Sequence, residues 1–196
     1  MSIIFAGCEI EIFPDSSIAN PRIDFENIGT MVCSHPRYIL GDENGLAQCV
    51  ADLEKGGHYR DEDIWNPRAA FAFAARCGFI CLPLFLYEHS GFSIATSAFS
   101  DSWDSGQAGF IYMTPETAIK NWGKKRLTRK VRQQAITAME YEVKLYDQYL
   151  VGDVWGFSVR SENEEESCWG FYGYDCCLEE AKSVAEGMYS YTGVPT

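Results

Sequence analysis

The chain predicts an α+β fold: a single domain, residues 1–196, with a mostly antiparallel sheet carrying one long helix and a C-terminal helix packed on it. Three features point there. Apolar or alternating runs at residues 79–87, 91–96, 108–113, 154–160 and 168–172 have the length and period of strands, and all are assigned to one sheet. Residues 128–149 instead repeat apolar side chains at three- and four-residue steps, through Val131, Ala135, Ala138, Met139, Val143, Tyr146 and Leu150, which is the signature of a long amphipathic helix. Finally, 196 residues of which 46% are hydrophobic and 14% aromatic can build one sizeable core and exclude wholesale disorder.

Taken in order, residues 3–13 end in the alternation Cys8, Ile10, Ile12 against Glu9 and Glu11, a half-exposed strand. Pro14-Asp15-Ser16-Ser17 breaks it, and Asn20-Pro21 marks a further turn. Residues 28–33 read as a short strand running into Ser34-His35-Pro36-Arg37-Tyr38, which Pro36 keeps extended. Leu46, Val50 and Leu53 share one face of a short helix. Residues 69–76 are alanine-rich and predict a helix, although their alternating aromatics also allow a strand. Thr114-Pro115-Glu116 has the cap, the first-turn proline and the acid of a helix start, and Trp122-Gly123 closes that helix. Residues 161–167 form an acidic hairpin loop between two strands, and a last helix spans about residues 175–188.

Formal net charge is −12. Its distribution is uneven. Lys120, Lys124, Lys125, Arg126, Arg129, Lys130 and Arg132 are interrupted by no acid, and without these seven the remaining nine basic residues face 28 acidic ones, a balance of −19. Such a surface argues against binding DNA or anionic membranes, apart from weak nucleic-acid contact through this basic run. Met1-Ser2-Ile3-Ile4 lacks the charged start of a signal peptide, and the apolar run ending at Tyr87 is about half the length of a membrane span. A cytoplasmic protein with eight reduced cysteines is therefore expected. None of the cysteines forms a CxxC pair. Cys176-Cys177 with Cys168 could ligate a metal, but burial as small hydrophobes is the favoured role. Neither metal nor cofactor is predicted: phosphate loops, H-E-x-x-H and calcium loops are absent.

The chemically mixed segments are few. His89, followed by Ser90-Gly91, can serve as a general base beside a hydroxyl with Asp104 orienting its ring. Neighbouring strand residues point apart, however, so a turn histidine that caps backbone groups is favoured. His35-Pro36-Arg37 offers a guanidinium for a carboxylate or phosphate, or else an ion pair with a nearby acid such as Asp42. Trp103-Asp104-Ser105-Gly106-Gln107 can read a base or peptide by stacking and hydrogen bonding; equally, it can be an ordered loop with Trp103 packed and an Asx-type turn at Asp104. If the protein is an enzyme, His89, Asp104 and His35 are its candidate catalytic residues. Arg37, Trp103, Asp104 and Gln107 are the candidate binding residues, joined by the acidic clusters Asp61-Glu62-Asp63 and Glu164-Glu165-Glu166.

Several strings occur in order: Arg22-Ile23-Asp24, Ile28-Gly29-Thr30-Met31, Arg37-Tyr38, Leu40-Gly41-Asp42, Leu86-Tyr87 with His89-Ser90-Gly91, Trp103-Asp104-Ser105-Gly106-Gln107, Tyr146-Asp147 with Tyr149-Leu150, and Ser167-Cys168-Trp169-Gly170-Phe171. Together they resemble a family of small proteins encoded by bacteriophages, prophages and other mobile elements, whose pattern runs RIDxENLGTM, RYxLGD, LYxHSG, WDSGQVGFIYV, YDxYLxGxVYGF and SCWGF. The match covers about residues 22–172. The resemblance implies a genomic setting and no mechanism. With the acidity, it leads to the expectation of a non-enzymatic accessory protein that binds and inhibits a host protein or complex, such as a CRISPR or restriction system, in the manner of a DNA mimic. The alternative is an enzyme or ligand-binding protein acting on a nucleotide or phosphorylated metabolite through His35, Arg37, His89 and Asp104.

Overall fold

In the computed structural model, which describes residues 2–58, 67–89, 91–101 and 103–192, the chain is α+β, with six helices and eight strands among the described residues. All strand pairs are antiparallel, but they form two four-stranded sheets rather than the single sheet expected. The chain divides accordingly into a terminal unit, residues 1–19 with 148–196, and a central unit, residues 20–147.

The terminal unit joins the two ends of the chain. β1 (Ser2–Phe5) and β2 (Cys8–Pro14) form a hairpin where one strand was predicted. Its two-residue turn is Ala6-Gly7, with φ of 47° and 75°. Left-handed residues at both turn positions match the twist of the flanking strands, but alanine at the first is not a turn signal, so the hairpin is silent in the sequence. β2 pairs with β7 (Val154–Arg160), and β7 with β8 (Glu165–Tyr172), giving the order β1-β2-β7-β8. Glu165 and Glu166, expected in a loop, are thus strand residues. Helix α6 (Tyr174–Thr192) covers one face, where Cys177, Ala181, Ala185 and Met188 pack on Cys8, Ile10, Phe157 and Val159.

In the central unit the sheet order is β3 (Thr30–Cys33), β6 (Ser105–Met113), β4 (Ile80–Glu88), β5 (Phe92–Ala95). Phe110 and Tyr112 of β6 face α2 (Gly45–Lys55) and α3 (Pro67–Arg76), packing with Cys49, Leu53, Ala70, Phe73 and Ala74. The alanine-rich segment is therefore helical. Ile111 lies on the opposite face by alternation, and both it and Met139 of α5 (Arg129–Val151) lie against Gly29. Val131, Ala135, Met139, Val143 and Tyr146 are the buried stripe of that helix, as its periodicity predicts. Two short helices complete the unit. In α1 (Pro21–Asp24) the Asn20 side chain accepts from Arg22 N, and in α4 (Pro115–Asn121) Thr114 accepts from Thr117 N.

A buried polar knot ties the edge of the central sheet to α5. The Arg22 side chain is 1% exposed, and its guanidinium binds Asp42 through Nε and Nη2 at 2.7 and 2.9 Å, Glu142 and Asn27 through Nη1 at 2.8 and 2.9 Å, and the Gly29 carbonyl at 2.7 Å. Glu142 also accepts from Ile28 N at 2.7 Å, and Asp42 from Met31 N at 2.8 Å. Every donor of the planar fork is used, which only arginine can do.

Candidate functional site

One end of the central sheet gathers most of the residues singled out from the sequence. β3 and β4 finish there, β5 and β6 begin there, and the registers Cys33 with Gly109, Tyr87 with Ser105 and Glu88 with Phe92 place the four strand ends side by side. Between them lies a groove of about 350 Å³ lined by Ser34, Glu88, Trp103, Asp104 and Gln107 among others.

The segment leaving β3 is pinned by Ser34 N donating to the Ala108 carbonyl at 2.8 Å. His35 follows with a side chain only 7% exposed, its ring 5.2 Å from Tyr38 and 5.5 Å from Phe92. Its Nδ1 accepts from the backbone N–H groups of Arg37 and Tyr38, both at 3.2 Å. That assigns the ring proton to Nε2, which donates to Glu88 Oε2 at 3.3 Å. His35 thus orders its own loop. Arg37 reaches the other oxygen of Glu88 at 2.5 Å, so its acid partner is Glu88; Asp42 is held by Arg22.

On the opposite wall, His89 Nδ1 lies 3.1 Å from Asp104 Oδ2, with the histidine side chain 66% exposed. Ser90 lies outside the described residues. The backbone beneath is rigid: Glu88 N donates to the Asp104 carbonyl at 2.9 Å. Trp103 is 95% exposed, so of the two readings of this loop the one with Trp103 packed does not hold. The Asx-type turn sits at Asp101, whose Oδ1 accepts from Trp103 N at 2.9 Å and whose carbonyl accepts from Ser105 Oγ. Gln107, expected at the end of the loop, is already in β6 and donates from Nε2 to the Gly109 carbonyl at 3.4 Å.

Glu88, which bridges His35 and Arg37, falls just past the strand predicted at residues 79–87 and is not among the residues singled out from the sequence. It shares the phase of Leu84 and Leu86 on β4, so a carboxylate on an apolar phase was the available signal. Other recurring strings belong to the scaffold. Arg22, Asn27, Gly29 and Asp42 form the buried knot, Tyr146 Oη accepts from Gly41 N at 3.0 Å, and Asp147 accepts from Ser93 Oγ and Ile94 N, both at 2.8 Å.

Asp61-Glu62-Asp63 lies outside the described residues. Glu164, Glu165 and Glu166 are exposed in the terminal unit. There Arg160 donates to Glu165 at 2.9 Å, and that hydrogen bond holds the Glu165 carboxyl below the usual carboxylate range. The open face of this sheet carries, in register, the rows Glu9, Arg160, Glu165 and Glu11, Ser158, Ser167. All seven basic residues between Lys120 and Arg132 are exposed.

No disulfide joins any of the eight cysteines. Burial pushes the thiols of Cys33, Cys49 and Cys81 up to about 12 and that of Cys177 up to about 11. Thiolate is the reactive form, so iodoacetamide at pH 8 should modify exposed Cys168 and Cys176 first and these four only after unfolding. A peptide mass-spectrometric time course checks this, and Cys49 labelling as fast as Cys168 would contradict it. Among the described residues, no group of three or more His, Cys, Asp or Glu is arranged to hold a metal ion, and no helix is long and apolar enough to cross a membrane. Comparison with protein-family models, curated proteins and solved structures finds no match to this chain.

Proposed function

We propose that this is a small acidic accessory protein of a phage or other mobile element, which binds and inhibits a component of its bacterial host's cytoplasm, a defence complex of the CRISPR or restriction type, by presenting carboxylates to a cationic groove. The observation that carries this role is the open sheet face of the terminal unit. Glu9, Glu11 and Glu165 stand on one face of a four-stranded sheet with Arg160 as the cation in their rows; exposed Glu164 precedes β8, and exposed Glu166 alternates to the other side beside Val159. Carboxylates held by strands lose little freedom on meeting a partner, and a face of one dominant sign steers encounter with a basic surface. With a balance of −19 outside the basic run, the field of the chain favours such a partner.

The test is capture from host lysate followed by kinetics on the complex recovered. Reversing Glu164, Glu165 and Glu166 to Lys together should slow association about tenfold and flatten its dependence on salt. His89→Ala should leave association within about twofold. If His89→Ala instead abolishes the biological effect while target binding survives, inhibition by binding is wrong.

A ligand-binding or enzymatic role through His35, Arg37, His89 and Asp104 is favoured by their position around one groove: Asp104 lines it, His89 bonds Asp104, and His35 and Arg37 bond Glu88 in its lining. Its difficulty is charge. Arg37 is committed to Glu88, and the groove walls carry two carboxylates, a poor reception for phosphate. A nucleotide co-purifying with the protein, seen in its absorbance and mass spectra, would restore that role.

A further inference from the structure

We propose that the groove at the end of the central sheet is a receptor for a guanidinium group, an arginine side chain offered by a protein partner. The inference rests on the inhibitory role above only for the identity of that partner; the chemistry comes from the groove.

Three observations combine. First, the charged side chains that line the groove are both acids, Glu88 and Asp104, and these side chains are 40% and 41% exposed. Arg37 with His35 meets Glu88 from one side and His89 meets Asp104 from the other, so each acid is oriented by a partner yet still reaches solvent. Counting Arg37 as the one fixed cation and both histidines as neutral, the cluster keeps a charge of −1 and discriminates against anions.

Second, Trp103 stands at the rim with 95% of its surface in water, although tryptophan is the side chain with most to gain from a partner. Its backbone N–H donates to Asp101 Oδ1 at 2.9 Å, and Trp103 itself is part of the groove lining. A planar, weakly hydrated guanidinium stacks flat on an indole face and donates in a fork to a neighbouring carboxylate; an ammonium can sit over the ring and pair with the acid as a point charge, but it offers neither the flat stack nor the fork.

Third, the volume of about 350 Å³ sits at the small end of ligand sites, roughly 300–1,000 Å³. That suits one long side chain better than a nucleotide, whose phosphates would also meet Glu88 and Asp104. Ser34 and Gln107 add a hydroxyl and an amide to the lining for the remaining donors.

The test needs no target. Five tryptophans give five indole N–H signals in a ¹H–¹⁵N spectrum, and Trp103→Phe identifies the one that matters. Titration with Nα-acetyl-arginine N-methylamide should shift that signal saturably, with a Kd on the order of 1 mM, as befits a single anchoring group. Asp104→Asn and Glu88→Gln should each weaken binding at least about fivefold while the other indole signals stay in place. The matching lysine derivative should bind several-fold less tightly. Free arginine, whose α-ammonium and α-carboxylate replace the two backbone amides with no change in net charge, should bind no more tightly than the blocked form. No saturable shift up to about 50 mM, or undiminished binding in both variants, overturns the assignment. A shift by AMP or inorganic phosphate overturns it in favour of the anion site, and tighter binding of free arginine overturns the protein origin of the group. Because the probe is a small molecule, its failure leaves the lysate capture standing, and failure of the capture leaves the groove chemistry standing.

Discussion

Replacing Arg22 with methionine should lower the unfolding free energy of the central unit by about 3–5 kcal/mol, the usual cost of stranding buried charges. Methionine fills much of the volume, but it removes the partner of Asp42 and Glu142, and it leaves the Gly29 carbonyl and Asn27 Oδ1 without their donor. The Glu142 side chain is 11% exposed, so water cannot replace what is lost there. Arg22→Lys should be only a partial rescue, because one ammonium cannot span Asp42, Glu142 and the Gly29 carbonyl together. Combining Arg22→Met with Asp42→Asn and Glu142→Gln should recover part of the loss, since neutral amides are cheaper to strand than carboxylates. Urea unfolding gives the comparison. A cost below about 1 kcal/mol for Arg22→Met would mean that the knot contributes little and that its removal is absorbed by hydration.

The second large effect is expected from a single methyl group. Gly109 sits opposite Cys33 in β3, where a Cβ would collide with the Val32 carbonyl oxygen and come within 2.9 Å of its carbon and 3.0 Å of Cys33 Cα. All of these are backbone atoms, so no rotamer change relieves the clash and the two strands must part. Gly109→Ala should therefore cost about 3 kcal/mol, at the upper end for overpacking. The displacement would also reach the groove, because Ser34 N is held by the carbonyl of Ala108. Gly106, three residues earlier in the same strand, faces open space on its Cβ side, and Gly106→Ala should change stability by less than about 0.5 kcal/mol. Equal costs for the two would remove close strand approach as the reason.

Periodicity in the sequence carried the secondary structure a long way. The buried stripe of α5, the cap and proline of α4 and the strand character of β4, β6 and β7 all follow from side chains a few residues apart, where local sterics and burial decide. Strand partnership is different. β7 and β8 carry the same alternation whether they extend the central sheet or pair with the N-terminal hairpin, and nothing local chooses between them. Pairing Ile10 with Val159 across nearly the whole chain settled the choice, through the shared apolar face that α6 covers.

The candidate site divides along the same line. His89, Asp104, His35, Arg37, Trp103 and Gln107 stood out by residue type, because scarce or chemically distinctive side chains in loops are visible in any linear reading. What joined them was the crossed order β3-β6-β4-β5, which sets the end of β3 beside the start of β6 and brings residues some 50 positions apart onto one carboxylate, Glu88. The sequence alone determined most element types, the acidity and the chemical inventory of the loops, but not the β1–β2 hairpin or the helix at α3. Only the tertiary structure decided that the strands form two sheets, that Arg22 rather than Arg37 takes Asp42, and that Trp103 stands in water beside two acids. The physical reason is that hydrophobic period and residue chemistry are short-range properties of the chain, whereas strand pairing and charge partnership are settled by which distant surfaces bury one another.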